Sequence, residues 1–375
     1  MSHLDSIAKP KHKDKLNLYL IGHSPDVKYL ERLLSQVKSI VKTISFICTD
    51  NENDCLEVIK ASGIDYQFDR MVFPKREDFD FSKARNRALE LASKNEGWLF
   101  WLDCDDTIKN PDNIISQMEA NSGKDCYGLP YNVNESSGNL WKIRIHKANQ
   151  FYWVNRVHEE LMPLSEKPNE VQCLILSDCP VYHSPDDGKS NHDFHISLLK
   201  KDIKQHEADY CYISKEYFNS CRYEEAIEWI NKTIPIHSYP HEIYNLYVML
   251  GNSYRLLDKF DKAVESFTLG INHSPYRKEC YYCLAEMYGT KEDEESLWKG
   301  LGYIRACVNQ LDKKEPLQNS LVYGDYQYKL EAMYLNKFNN PELALKSLDK
   351  VKDQTKEVEE IREQSNKLIE QKANK

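Results

Sequence analysis

Apolar positions along the first hundred residues follow two alternating rhythms. Short unbroken apolar runs, Leu16 to Gly22, Thr43 to Cys48 and Trp98 to Leu102, read as buried strands. Between the first two, Val27, Leu30, Leu33, Leu34, Val37 and Ile40 recur at helical spacing and predict a helix over Val27 to Val41. Glu57 to Ser62 reads as a helix stopped by Gly63, and Asp65 to Val72 holds a third short strand. Ser82 is the expected N-cap of a helix with Ala84, Ala88, Leu89, Leu91 and Ala92 on one face, ended by Gly97. Strands alternating with helices predict a parallel α/β sheet, and such sheets bind ligands beyond the carboxyl ends of their strands. Thr49, Asp50 and Asn51 fall there, as do Asp103, Asp105 and Asp106.

The rhythm changes at Cys126. Tyr127 to Val133, Leu140 to His146, Gln150 to Trp153, Val171 to Leu176 and Val181 to His183 predict short strands completing the first domain. A polar loop, Ser184 to Ser190, follows. From Asn191 the pattern is helical to the end and repeats itself. Tyr217 precedes Ala226 by nine residues, as Tyr254 precedes Ala263. Leu250, Gly251, Tyr254, Ala263, Phe267 and Pro275 have the spacings of a tetratricopeptide repeat, with a period of about 34 residues. Tyr281, Leu284, Ala285 and Tyr288 begin a further copy, and Tyr328, Ala332, Ala344 and Leu348 another, with Leu301 to Leu311 as a degenerate helix between them. Lys350 to Lys375 reads as a charged, solvated capping helix. The expected division is a flexible lead-in over 1–14, an α/β domain over 15–190 and a helical repeat domain over 191–375.

A chain of 375 residues with 41% hydrophobic content can fill two cores, and a net charge of −9 argues against a generic nucleic-acid binder. No run is long enough for a membrane-spanning helix, and the polar N-terminus lacks the apolar core of a secretory signal. The 11 cysteines form no paired CxxC motifs; Cys280 and Cys283, three apart in helical context, read as core residues. Free thiols imply a reducing compartment, so a cytoplasmic protein is expected.

The chemistry concentrates at Asp103-Cys104-Asp105-Asp106. Acids at the end of a buried strand are costly unless a cation neutralises them, and Mg²⁺ or Mn²⁺ suits such oxygen ligands. The bland reading is a polar loop with a helix N-cap at Asp106. Around this point the chain resembles family 2 glycosyltransferases of the GT-A fold, in the branch that carries C-terminal tetratricopeptide repeats. The resemblance lies in Asp80-Phe81-Ser82-Lys83-Ala84-Arg85-Asn86-Arg87-Ala88-Leu89 and in Trp98-Leu99-Phe100-Trp101-Leu102-Asp103-Cys104-Asp105-Asp106. It extends to Arg144-Ile145-His146, Phe151-Tyr152-Trp153, Val157-His158-Glu159 and His183.

The resemblance implies a Rossmann-like mixed sheet and a UDP- or GDP-sugar donor. It implies a metal held by Asp105, Asp103 and His183. Arg85 and Asp103 would meet the donor, with Thr49 and Asp50 at its nucleoside. Glu159 or its neighbour Glu160 would be the base that deprotonates the acceptor, with His158 orienting it. The loop Ser184 to Ser190 would be a lid. The sequence also departs from the pattern: His23-Ser24-Pro25-Asp26 replaces an Asn-Glu-Glu turn, and Cys48 stands where a nucleoside-binding Asp is expected, leaving Asp50 as its substitute. The expected function is therefore metal-dependent sugar transfer, with inversion, to a peptide or protein docked on the repeats, which could also pair two copies of the chain. The alternatives are a transferase acting on a glycan or DNA, and a non-catalytic repeat scaffold with a degenerate GT-A domain.

Overall fold

A computed structural model describes residues 15–132, 140–165, 170–183, 191–203, 207–291, 293–311, 313, 318–319 and 321–374. The expected lead-in over 1–14 and the expected lid over Ser184 to Ser190 lie outside these residues. The chain divides into two compact units, Met1–Lys201 and Asp202–Lys375.

The first unit opens with β1 (Leu16–Gly22), α1 (Val27–Val37), β2 (Val41–Cys48), α2 (Asp54–Ser62) and β3 (Asp65–Arg70). It continues with α3 (Phe81–Ala92), β4 (Trp98–Trp101), β5 (Asp106–Ile108), α4 (Asn113–Ala120), β6 (Cys126–Asn132) and β7 (Trp141–Lys147). The hairpin β8 (Phe151–Val154) and β9 (Glu160–Pro163), then β10 (Cys173–Ile175), β11 (Val181–His183) and α5 (His192–Asp202) complete it. The main sheet runs β3-β2-β1-β4-β7-β6-β11-β5. β1 to β4 are parallel, whereas β7 is antiparallel to both β4 and β6. The sheet is therefore mixed.

β1 shows why the centre of the sheet is continuous in apolar residues. Leu16, Leu18 and Leu20 fill one core, and Tyr19 enters another on the opposite face. A strand covered on both sides cannot alternate polar with apolar residues. Its one amide, Asn17, is buried but satisfied: Asn17 Nδ2 donates to Glu96 O at 3.1 Å, and Thr43 Oγ1 donates to Asn17 Oδ1 at 2.7 Å.

Three local expectations change. The N-cap of α3 is Asp80, whose carboxylate accepts from Lys83 N at 3.0 Å; Ser82 supports it by donating to Asp80 at 2.8 Å. Asp106 caps no helix and instead begins β5. The strand expected over Val171 to Leu176 shortens to β10, which shares one edge of β6 with β11.

The second unit is a succession of helical hairpins: α6 (Glu207–Asn219) with α7 (Tyr223–Thr233), and α8 (Pro240–Leu256) with α9 (Phe260–His273). α10 (Glu279–Gly289) with α11 (Glu294–Asn309), then α12 (Gln327–Lys337) with α13 (Pro341–Leu348), follow before α14 (Lys356–Ala373). Three of the hairpins turn by one device. Cys221, Asp258 and Asn339 each adopt positive φ, of 60°, 57° and 53°. The next amide then reaches back to close the helix end: Arg222 N to Tyr217 O at 2.9 Å, Lys259 N to Tyr254 O at 2.9 Å, and Asn340 N to Leu335 O at 2.8 Å. Within the second hairpin Gly251 lets α9 approach, since a Cβ there would stand 2.5 Å from the Phe267 ring. Ala263, packed beside Phe267, is also buried. These are the features of a tetratricopeptide-repeat component. Cys280 and Cys283 lie in its core. α14 is not wholly solvated: Val358, Ile361 and Ser365 are buried, and Ser365 Oγ donates to Asn336 Oδ1 at 3.0 Å.

Candidate functional site

The acidic cluster sits where β4 ends. Its turn is closed reciprocally: Asp106 N donates to Asp103 O at 3.0 Å, and Asp103 N donates to Asp106 Oδ2 at 2.9 Å. Cys104 between them points inward and donates to Ile21 O at 3.3 Å. That approach requires Gly22, because a Cβ there would lie 2.8 Å from Cys104 Sγ.

Arg85 reaches this turn from α3. Its Nη2 pairs with Asp103 Oδ1, and its Nε donates to Glu159 Oε1 at 2.6 Å. The guanidinium packs against the paired indoles of Trp101 and Trp153, 4.9 and 4.8 Å from their centroids. Burial opposes its charge, but the Asp103 and Glu159 carboxylates outweigh burial and hold the proton more tightly than usual. Asp103 mirrors this. Burial favours its neutral form, yet Arg85, then Arg144 and Lys142, hold its carboxyl well below the ordinary range.

Arg144, on β7, is fully buried. Its Nη2 is 3.1 Å from Asp106 Oδ2, its Nη1 is 4.0 Å from Asp103 Oδ2, and its guanidinium lies 3.8 Å from the Trp101 centroid. β11 brings His183 opposite Asp106 in antiparallel register. His183 Nδ1 stands 3.4 Å from Asp105 Oδ1 and 3.5 Å from Asp106 Oδ1. Asp106 raises the His183 pKa against burial, with help from Asp105 and Asp103. Asp105 is pushed up to about 6 by burial, with Asp103 and Asp106 adding to the shift and His183 opposing it.

Asp103, Asp106 and His183 offer ligand atoms that all lie within 4.8 Å of one another. Asp106 Oδ1 and His183 Nδ1 are buried without a hydrogen-bond partner. These two atoms stand 3.5 Å apart, and with the ring neutral they would fit a divalent cation; carboxylate oxygens suit Mn²⁺ and Mg²⁺, and the imidazole nitrogen favours Mn²⁺ of the two. Of the expected set of Asp105, Asp103 and His183, Asp103 and His183 group with Asp106, and Asp105 lies beside them.

The other expected residues divide. Glu159 belongs to the cluster through Arg85, while Glu160 starts β9 and is exposed. His158 takes positive φ, 54°, in the turn before β9, with its ring 5.7 Å from that of His195. Asp50 and Thr49 knit loop to strand instead. Asp50 accepts from Ser24 N at 2.7 Å, Glu52 N at 3.1 Å and Cys48 Sγ at 3.1 Å. Thr49 N and Oγ1 both donate to Gly22 O, at 2.8 and 3.2 Å. Burial alone would raise the Asp50 carboxyl, but these bonds bring it below its ordinary value. Arg144 was not among the expected site residues, and Asp106, though named in the acidic cluster, was not expected as a ligand. Their signal was an arginine between two isoleucines, Ile143-Arg144-Ile145, and a third acid after Leu102.

A second arrangement lies within the repeats. A cavity of about 730 Å³ is lined by Arg255, Glu286, Met287, Leu330, Met333 and Tyr334 among others. A neighbouring cavity of about 350 Å³ is lined by Asn245, Asn252, Tyr282, Val322 and Tyr326, and shares Arg255 and Glu286. Those two residues pair at 3.0 Å, so the cavities adjoin across one ion pair. Both take walls from α8 and α10; α12 completes the larger one, and residues 319–326, before α12, complete the smaller. Asn252 Oδ1 is buried there without a hydrogen-bond partner.

No protein-family model matches the chain. No curated protein matches it. Among solved structures it is similar to MamA, at 16% identity over 49% of this chain and 92% of that one, with a TM-score of 0.34. It is also similar to pilF of Pseudomonas aeruginosa, at 14% identity over 49% and 72%, with a TM-score of 0.34. A third likeness is to the TPR2AB domain of yeast Sti1 in complex with pHSP90, at 12% identity over 47% and 92%, with a TM-score of 0.23. These findings correct the expectation of sugar transfer: the likenesses are to tetratricopeptide-repeat proteins, over about half of the chain. The site geometry is consistent with that correction. Glu159, expected as the base, and Asp103, expected at the donor, are both bound by one buried arginine. Among the described residues no helix is long and apolar enough to cross a membrane.

Proposed function

We propose that this protein is a repeat scaffold whose tetratricopeptide helices dock a segment of a protein partner. The observation that carries the reading is the pair of adjoining cavities along α8 and α10, the larger of which extends to α12. Their combined lining suits an extended peptide. Met287, Leu330 and Met333 offer adaptable apolar surface, and the orphaned Asn252 Oδ1 would accept a backbone N–H from the peptide. Repeat arrays present extended binding surfaces of this kind.

For the first unit we propose a degenerate GT-A-type domain that keeps a divalent-cation corner and has lost sugar transfer. Cys48 at the nucleoside position and the double engagement of Arg85 support the loss. The orphaned atoms of Asp106 and His183 support the cation.

Selection of peptides from a displayed random library against the full chain tests the scaffold reading. Selected peptides are expected to lose at least tenfold in affinity for Met333→Glu, which changes a residue that is 40% exposed on the cavity wall and leaves the core intact. Peptides that bind this variant equally well, or a library that yields none, would overturn it. Incubation with a panel of nucleotide sugars and Mn²⁺ is expected to release no nucleoside diphosphate; release would restore catalysis to the first unit.

A further inference from the structure

Cys126 and Cys173 are register partners on adjacent parallel strands, β6 and β10. Both are free thiols. Paired residues of neighbouring strands lie about 4.8 Å apart and direct their side chains to the same face. That separation falls inside the roughly 4.4–6.8 Å window in which two cysteines can be joined without moving the backbone. The register itself is secured from the residue before each cysteine. Asp125 N donates to Gln172 O at 3.0 Å, and Gln172 N donates to Asp125 Oδ2 at 2.9 Å.

The two sulfurs differ in the way a reactive pair requires. Cys126 is fully buried, whereas Cys173 is half-buried on a strand that, among the described residues, pairs with β6 alone. The adjacent Cys126 thiol lowers the Cys173 pKa against burial, with the backbone of Gly128 assisting. Proximity to Cys173, with burial, raises that of Cys126. An accessible, anion-stabilised sulfur beside a protonated one is the arrangement of an attacking and a resolving thiol.

We propose that Cys126 and Cys173 form a peroxide-responsive dithiol that closes to a disulfide between β6 and β10. The Cys173 thiolate attacks one oxygen of hydrogen peroxide; the O–O bond breaks, and the departing hydroxide takes a proton to leave as water. Cys173 is then a sulfenic acid. The Cys126 sulfur attacks the Cys173 sulfur, its S–H proton goes to the departing hydroxide, and a second water leaves. Two thiols and one peroxide yield one disulfide and two waters, with sulfur oxidised and peroxide oxygen reduced. The product staples β10 to the strand that pairs on its other side with β7, which carries Arg144, and at its far end with β11, which carries His183. The cross-link closes the loop 127–172, which contains both Arg144 and Glu159, and so restrains the unfolded chain.

The test is a non-reducing peptide map of the full chain after titration with hydrogen peroxide. Cys221, the exposed thiol, serves as the internal marker of unassisted oxidation. The expected result is a Cys126–Cys173 cross-linked peptide at peroxide concentrations at least tenfold below those that oxidise Cys221, with the melting temperature raised and restored by dithiothreitol. In Cys126→Ser, Cys173 is expected to stop at a sulfenic acid trapped by dimedone. Cys173→Ser, at the half-buried position, is expected to abolish the cross-link and the melting shift together. Both thiols remaining alkylatable after denaturation, once Cys221 is oxidised, would overturn the proposal. So would a cross-link joining either one to a different cysteine.

Discussion

Arg85 and Glu159 meet across 74 residues of sequence, with Arg85 Nε donating to Glu159 Oε1 at 2.6 Å. The contact ties α3 to the turn between β8 and β9. A side chain expected to work as a free base is thus one arm of a buried ion pair, and the other arm of the same guanidinium holds Asp103. The fork geometry of arginine makes this double engagement available, and the guanidinium is buried against the indoles of Trp101 and Trp153.

Arg85→Ala is expected to destabilise the first unit by about 3–5 kcal/mol, because it leaves two carboxylates without their buried partner. Arg85→Lys is expected to recover less than half of that, since an ammonium cannot reproduce the bidentate fork. Urea denaturation of the three proteins measures it; a loss below about 1 kcal/mol would mean the pair behaves as a solvated surface bridge.

His146 predicts an acid-side loss of stability. Its Nδ1 is 3.0 Å from Lys147 O, which can only accept, so Nδ1 carries the proton and Nε2 accepts from the Tyr19 hydroxyl at 2.8 Å. The neutral ring is fully satisfied, and burial pushes its pKa down from 6.5 to about 4, against the help of the Lys147 carbonyl. Between these values the unfolded state binds the proton and the folded state does not. Stability therefore falls as pH drops through 6.5 and stops falling near 4, by about 3 kcal/mol in all. Subtracting the stability–pH curve of His146→Phe from that of the native chain isolates this contribution; a flat difference between pH 4 and 6.5 would contradict it.

Mn²⁺ is expected to stabilise the protein through Asp103, Asp106 and His183. At a free ion concentration 100 times the dissociation constant the gain is about 2.7 kcal/mol, read as a rise in melting temperature that EDTA reverses. His183→Ala removes one ligand without disturbing the Arg144–Asp106 pair and is expected to weaken binding at least tenfold. An unchanged response in that variant would move the ion elsewhere.

Gly251→Ala is expected to cost about 1–3 kcal/mol in the repeat domain, since the added methyl meets the Phe267 ring at 2.5 Å. Gly302, where an added Cβ meets nothing within 4 Å, provides the control: Gly302→Ala is expected to be neutral or stabilising. Thermal unfolding followed by circular dichroism distinguishes the two.

By itself the sequence determined most of the elements and their order, with β5, α4 and β9 left to the structure. Local periodicity carries that information: Leu16 to Gly22 can only be a doubly covered strand, and Gly251, Tyr254, Ala263 and Phe267 can only satisfy one another in a helical hairpin. It also marked the end of β4 as the chemical centre, because three acids after an apolar run need a counter-charge. The tertiary structure decided what supplies it. Arg85 and Arg144 come from α3 and β7, and His183 from β11, so the pairing depends on strand order and register that no local spacing encodes. Asp106 looked like a helix cap because its neighbours are polar; β11 makes it a strand residue by pairing Val181 to His183 against Asp106 to Ile108. The Cys126–Cys173 relationship has the same origin. Two cysteines far apart in the chain become neighbours only when β10 lies along β6, and the Asp125–Gln172 bonds set which residues face each other.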